Sequence, residues 1–409
     1  MKFGIVCCCL LVFHAVTFGQ VNAPLYSDTI FEQNRLNVTG NMEWGSNAFR
    51  RELTQTLLFG GTVDNAMKMR SFDAHIGVNR IGFQTANCIQ YLYGKGKIGK
   101  RDSLTWGVQA GYYGVGAASY GKDVFGLAFF GNSAYLANTA RFDNTNLNVT
   151  VFQKIGFGIS SKKSGSSLFL NMVNIQDQMD VAVRKGSLTQ NEDASEVNLL
   201  MRGDFKTTNG NQFSKGLGFA LDLDYRISVP WLKNEFTQIQ VSVQNMGLAY
   251  MYAGQNQYSI DSNYHYSGFQ LNAFTQNKPL FGSDFSLLDS LGIQHAVKKT
   301  WVKLPGYIQV MKMLDPYSAK RVQSFFGIRL YPTLSIVPSV FAGIATRVGS
   351  HFTTSASLSY GGFSNFKGGI YATFNRSNLS VTVGSDDIWG MISKQGFGQS
   401  ILMRLSWKF

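Results

Sequence analysis

Cysteine is nearly missing from this chain. Of four cysteines, Cys7, Cys8 and Cys9 fall in the first twenty residues, leaving Cys88 alone. An internal disulfide is then impossible, a thiolate metal site has no ligands to draw on, and Cys88 reads as a small buried apolar residue. Prolines number seven and charged residues make up only 15%. With 44% hydrophobic residues, this is not a disordered composition. No run of eighteen apolar residues follows the amino end, and mean hydropathy is −0.05, which excludes a bundle of membrane-spanning helices. Beyond His14, the histidines are His75, His265, His295 and His351, with no HExxH and no CxxC. No metal, no cofactor and no enzyme are expected. Barrel-wall enzymes pair a serine with a histidine; Ser357 near His351 is such a pair, and nothing singles it out. Gly94-Lys95-Gly96-Lys97 and Gly361-Gly362 lack the strand-loop-helix setting of a phosphate cradle and read as turns.

The amino end has the pattern of an export signal. Lys2 supplies a positive start, Phe3 to Phe18 is apolar apart from Gly4, His14 and Thr17, and Thr17-Phe18-Gly19 places small side chains before a cleavage point at Gly19/Gln20. The stretch is too short for a good spanning helix. The expected organisation is a signal peptide over 1–19, an amino-terminal segment with a short helix over 20–69, and one large domain over 70–409.

What is plentiful points to β-structure. Aromatics reach 14% and glycines 43. Large apolar side chains recur at every second position, as in Leu147, Val149, Val151, Ile155, Phe157 and Ile159, and again from Leu217 through Phe219, Leu221, Leu223, Tyr225 and Ile227 to Val229. Shorter stripes include Trp106-Val108-Ala110-Tyr112, Phe326-Ile328-Leu330 and Ala356-Leu358-Tyr360. Successive side chains of a strand alternate between faces, so each segment has one apolar and one polar face. Strands of about ten residues between Gly, Asn, Ser and Asp are what a tilted membrane-spanning hairpin requires. The expected fold is all-β: an antiparallel transmembrane β-barrel of about 14 strands, between 12 and 16. Asn47 to Phe59 reads as an amphipathic helix ahead of Gly60-Gly61, and Asp284 to Ile293 as a second helical piece. Such segments plug a lumen, cap a mouth, or serve as ordinary loop helices.

The closing segment is the most specific signal. Ile401, Met403, Leu405, Trp407 and Phe409 alternate with Leu402, Arg404, Ser406 and Lys408. A terminal aromatic on an amphipathic strand is how outer-membrane barrels typically end, with the last strand pairing the first. Met403, Leu405, Trp407 and Phe409 are accordingly the candidate assembly signal, and Arg404 and Lys408 should face the interior or rim.

The net charge of +13 is scattered rather than gathered into a stripe, so nucleic acid is not an expected partner. With apolar positions outward, Asp180, Arg184, Arg202, Asp204, Asp222, Asp224 and Arg226 become the candidate lumen-lining or ligand-binding charges. Isolated charge in a confined space is costly, so they should pair across strands. Such a ladder either fills and stiffens the lumen or selects what passes.

Gly126-Leu127-Ala128-Phe129-Phe130-Gly131-Asn132, Phe157-Gly158, Leu217-Gly218-Phe219-Ala220-Leu221-Asp222-Leu223 and Gln244-Asn245-Met246-Gly247 resemble uncharacterised outer-membrane barrel proteins of Bacteroidota, the DUF5723-like group. The resemblance spans about residues 30 to 270 plus the closing strand. It implies an outer-membrane barrel of unassigned function in a Gram-negative bacterium and brings no catalytic residues. A looser comparison is with the PorP/SprF-type barrels of secretion and gliding, whose early Asn-Pro-Ala-Tyr-Ala-Gly this chain lacks. The expected role is a channel or binding barrel for a small hydrophobic or anionic solute; the alternative is an accessory or anchor barrel of a secretion, gliding or surface complex. Expected partners are outer-membrane lipid and lipopolysaccharide, the barrel-assembly machinery and an envelope protein. Deleting Phe409 should lower the fraction of chain reaching the outer membrane in heat-modifiable form. Unchanged assembly and location would remove the strongest sequence support for a barrel.

Overall fold

The computed structural model describes residues 22–27, 32–95, 98, 102–232, 235–266, 293–315, 318, 320–334 and 336–409. The helix expected over Asp284 to Ile293 lies outside these residues, except that Ile293 itself begins a strand. The strands run β1 (Arg35–Ser46), β2 (Val78–Leu92), β3 (Leu104–Gly121), β4 (Thr139–Arg141), β5 (Thr145–Ser161), β6 (Ser167–Gln190), β7 (Val197–Thr208), β8 (Gly216–Leu232), β9 (Glu235–Tyr250) and β10 (Gln255–Tyr266). They continue with β11 (Ile293–Lys298), β12 (Trp301–Lys303), β13 (Tyr307–Lys312), β14 (Val322–Leu330), β15 (Val337–Val348), β16 (Phe352–Gly362), β17 (Phe366–Arg376), β18 (Leu379–Ser385) and β19 (Gly398–Lys408). The α-helices are α1 (Arg51–Phe59), α2 (Asn65–Ala74), α3 (Lys122–Phe130) and α4 (Ile388–Ile392).

Period-2 alternation has the expected consequence. Fourteen antiparallel strands close on themselves in the order β1, β2, β3, β5, β6, β8, β9, β13, β14, β15, β16, β17, β18, β19. The seam is an unbroken ladder from Arg35↔Lys408 to Gly45↔Gly398. The wall therefore starts at Arg35, inside the segment assigned above to an amino-terminal region ending at residue 69. The outer face carries the apolar stripes: Ile155 is 64% exposed, Phe219 62% and Leu358 72%. Their neighbours Lys154, Ala220 and Ser357 are buried inside. In the closing strand Ile401, Met403, Trp407 and Phe409 are exposed, whereas Leu402 points inward and is 1% exposed.

The two ends differ. At the end holding Arg35 and Lys408, hereafter the near end, short turns such as 162–166, 349–351 and 377–378 join the strands. At the far end the connections 47–77, 122–144 and 386–397 are long and carry the four α-helices found among the described residues. β6 is too long for the wall. Its first part pairs with β8 and its second part with β7, which continues to β10 and β11 as a flap projecting from the far end. A bulge where Val151 and Phe152 face Asp177 and Ile175 marks the fork.

The far end is capped by α1 and α2. The helix expected at Asn47 to Phe59 forms from Arg51, because the N–H groups of Arg51 and Glu52 donate to the carbonyls of Gly396 and Lys394, bringing in the β18–β19 connection. It stops at Gly60 and Gly61, whose φ of +85° and +140° suit glycine. Asp64 caps α2 by accepting from the Met67 N–H at 2.7 Å. Beneath them Leu53, Tyr120 and Phe125 are buried among Phe49, Phe72 and Phe129. His75 closes this cluster, with Nδ1 2.7 Å from the Ser71 carbonyl and Nε2 3.1 Å from the Tyr120 hydroxyl.

Burial holds the His75 pKa below its ordinary 6.5, and the Lys122 charge acts in the same direction against the hydrogen bond to Ser71. The sign follows from linkage: a depressed folded value means the opened cap binds the proton more tightly. Cap stability should be complete above about pH 6.5 and fall as the pH drops through the folded His75 value. Amide protection factors of α1 and α2, with the intrinsic pH dependence of exchange divided out, should fall between pH 7.5 and 5, and His75→Gln should flatten that profile. A cap equally protected at both pH values would contradict this.

Candidate lumenal site

Inward-facing positions of the wall carry most of the polar chemistry. Lys154 on β5 and Asp222 on β8 meet at 2.5 Å with side chains 0% and 4% exposed. A carboxylate so buried needs several donors, and this one has them. Gln109 Nε2 donates at 2.6 Å, Asn171 Nδ2 at 3.0 Å and the Asn245 N–H at 2.8 Å. The last contact depends on a bulge, where Gln244 and Asn245 of β9 oppose Asp222 alone; Asn245 takes φ +55° and turns its N–H inward. Lys154 also donates to Asn245 Oδ1 at 2.5 Å and lies 4.5 Å above the Tyr113 ring. Gly156 leaves the space in which Asn171 sits: a Cβ there would lie 2.0 Å from Asn171 Oδ1.

A second ion pair, Lys367 with Glu43, joins β17 to β1, with side chains 4% and 5% exposed. Close by, Asp386 accepts from the Tyr371 hydroxyl and from the Asn22 N–H, the latter at 2.6 Å. Asn22 belongs to a strap, residues 22–27, that enters the lumen. The Leu25 carbonyl accepts from the Leu314 N–H and the Leu314 carbonyl from the Ser27 N–H, both at 2.7 Å. Ala23, Leu25 and Tyr26 pack on Phe325, Phe341 and Leu402, so the strap is an apolar plug in a polar bore.

Between strap and wall lies a cavity of about 260 Å³. Of the residues marked in the sequence, Asp222, Asp224 and Arg226 line it. Asp224 and Arg226 form their own pair at 3.0 Å, two residues apart on β8. Asp180, Arg184, Arg202 and Asp204 are not among its lining, which corrects their expected position. They sit on the far part of β6 and on β7, where Arg184 pairs with Asp204 and Arg202 with Asp261 on half-exposed side chains. The physical reason is the fork: beyond Ile175, β6 leaves the wall segment shared with β8. Ser357 and His351 are not brought together. Ser357 Oγ bonds the Tyr371 hydroxyl inside, while His351 Nδ1 faces the Asn375 carbonyl at an exposed turn.

Several lining residues were not singled out from sequence. Arg35, Arg329, Tyr307 and Gln240 all face the cavity, beside Arg404, which was expected to point inward. The signal for Arg329 was available, since it is the inward complement of the Phe326-Ile328-Leu330 stripe.

No family model matches the chain, and no curated protein matches it. Solved structures do. The toluene transporter TodX of P. putida is 8% identical with a TM-score of 0.35, over 92% of this chain and 89% of that one. A TodX deltaS2S3 mutant monoaromatic hydrocarbon channel scores 0.38 at 8% identity, over 92% and 90%. The transport unit of the autotransporter AIDA-I from Escherichia coli scores 0.23 at 10% identity, over 92% and 90%. Likeness at this level says nothing about individual residues.

Breaking the central pair should be costly. Lys154→Met leaves Asp222 buried and uncompensated, with an expected loss of about 3–5 kcal/mol. Lys154→Met with Asp222→Asn removes both charges and should recover most of it. Urea midpoints of the folded, heat-modifiable form read the difference; equal losses in the single and double variants would refute the assignment.

Proposed function

We propose that this barrel spans an outer membrane and that its lumen binds or passes a small polar solute, anions in preference to hydrocarbons. The observation that carries this reading is the inversion of a soluble protein: apolar side chains cover the outside of a closed wall while ion pairs, amides and a cavity occupy the inside. An apolar belt of this extent is unfavourable in water and favourable in lipid. A closed barrel leaves no unpaired strand edge to be desolvated there. Orientation follows the same logic: short turns at the near end fit the periplasm and the long helical connections fit the outside. The lining supports an anionic solute over a hydrophobic one, because a hydrocarbon would leave buried polar groups without partners. Binding and passage, rather than catalysis, are what this interior supports.

A second reading is an accessory barrel, favoured by the flap. Among the described residues β11 pairs only with β10, which leaves an edge to which a partner's strand can add. That reading predicts stable co-purification with an envelope protein.

Planar-bilayer recording tests the first reading. Purified chain should give discrete conductance steps, and removal of residues 20–27 should enlarge them by clearing the strap. Arg226→Gln should alter ion selectivity and Arg202→Gln should not, because only Arg226 lines the cavity. No conductance from either the full chain or the strapless variant would contradict passage.

A further inference from the structure

We infer that Arg329 and Arg404 form an oxyanion-recognition site in the lumen, for a small hydroxylated carboxylate or phosphate. The inference rests on the lumenal reading above and deepens it. Arg329 is 4% exposed and lies on β14; Arg404 is half-buried on β19; both line the same cavity. A buried guanidinium without a counter-charge is expensive, and proteins normally supply a carboxylate. None is supplied here: among the described residues neither arginine has a carboxylate ion pair.

Their partners are neutral. Gln309 Oε1 accepts from Arg329 Nε at 2.8 Å and also from Nη2, and the guanidinium carbon stands 5.1 Å from the Tyr307 ring centre. Arg404 Nη1 reaches the Pro24 carbonyl of the strap at 3.4 Å. The other acids of the lumen are committed elsewhere. Asp222 belongs to Lys154, Asp224 to Arg226 and Glu43 to Lys367, while Asp386 accepts from Asn22 and Tyr371. Asp386 also acts on Arg329 through space without forming an ion pair, so one carboxylate set against two arginines leaves the surroundings of Arg329 and Arg404 net positive. A planar guanidinium fork matches the oxygens of a carboxylate or a phosphate.

A different feature of the same cavity specifies the rest of the ligand. Asn41 Oδ1 and Gln240 Oε1 are buried without a hydrogen-bond donor. Both residues line the cavity. Acceptors left in this state call for a donor on the solute. Hydroxyl groups beside the anionic head supply it, which singles out sugar acids and polyol phosphates over simple anions.

Calorimetric titration of the purified full chain in detergent tests this, with gluconate and glycerol 3-phosphate as separate probes and sorbitol as the uncharged control. Either anion should bind at about 1 mM or tighter, and sorbitol should not. Whichever probe binds identifies the headgroup. Arg329→Gln and Arg404→Gln should each weaken binding about tenfold or more, and Arg404→Lys should fall between, since it keeps the charge and loses the fork. Heat-modifiable mobility verifies that each variant is folded. The unmodified chain alone can overturn the site, by binding neither anion at 10-fold higher concentration or by binding sorbitol equally well. Binding that is unchanged in both glutamine variants would also overturn it. Bilayer recording separates the two proposals. Anion binding without conductance would defeat passage and leave the site standing. Conductance without anion binding, and with no selectivity change in Arg404→Gln, would defeat the site and leave passage standing.

Discussion

Everything in this molecule depends on the pairing of its first strand with its last. The ladder from Arg35↔Lys408 to Gly45↔Gly398 turns a sheet into a cylinder. Without it, two strand edges would be left with bare N–H and C=O groups, which in the proposed membrane setting would cost several kcal/mol for each unsatisfied group. Closure also creates an inside. Only when the wall is complete do Lys154, Asp222, Glu43 and Lys367 share an enclosed space in which pairing becomes obligatory.

The interior is built in two registers. One is structural: the Lys154–Asp222 hub ties β5 to β8, recruits Gln109 and Asn171, and uses the bulge at Asn245 to complete the carboxylate's shell. The other is unsatisfied. Arg329 and Arg404 line the cavity beside the strap, and Asn41 and Gln240 hold acceptors without donors. Polar groups are rarely buried unpaired without a reason, and the contrast between the two registers separates scaffold from candidate site.

Much of the wall was legible in the sequence, because a strand's period survives translation into a barrel. Leu217 through Ile227 alternate in the residue order and alternate in exposure. Arg404 was assigned inward from the same rule, and it faces the cavity. Where the rule failed, the backbone had shifted its phase or left the wall. Asp180 and Asp204 were extrapolated from neighbouring stripes across a bulge and a fork that no residue pattern announces. β1 was missed because its stripe of Leu36, Val38 and Met42 is interrupted by Gly40 and runs straight into a helix. The strap was invisible for a different reason: Asn22 to Ser27 has no periodicity, and its burial depends wholly on what the closed barrel provides.

Closure in this register is the central claim, and a cross-strand disulfide tests it directly. Val38 of β1 stands opposite Leu405 of β19. In a Cys88→Ser background, Val38→Cys with Leu405→Cys should oxidise nearly completely and keep the barrel's compact mobility after boiling. Val38→Cys with Trp407→Cys, displaced by two residues along the ladder, should not. Efficient crosslinking of the displaced pair, or none of the opposed pair in correctly localised protein, would contradict the account.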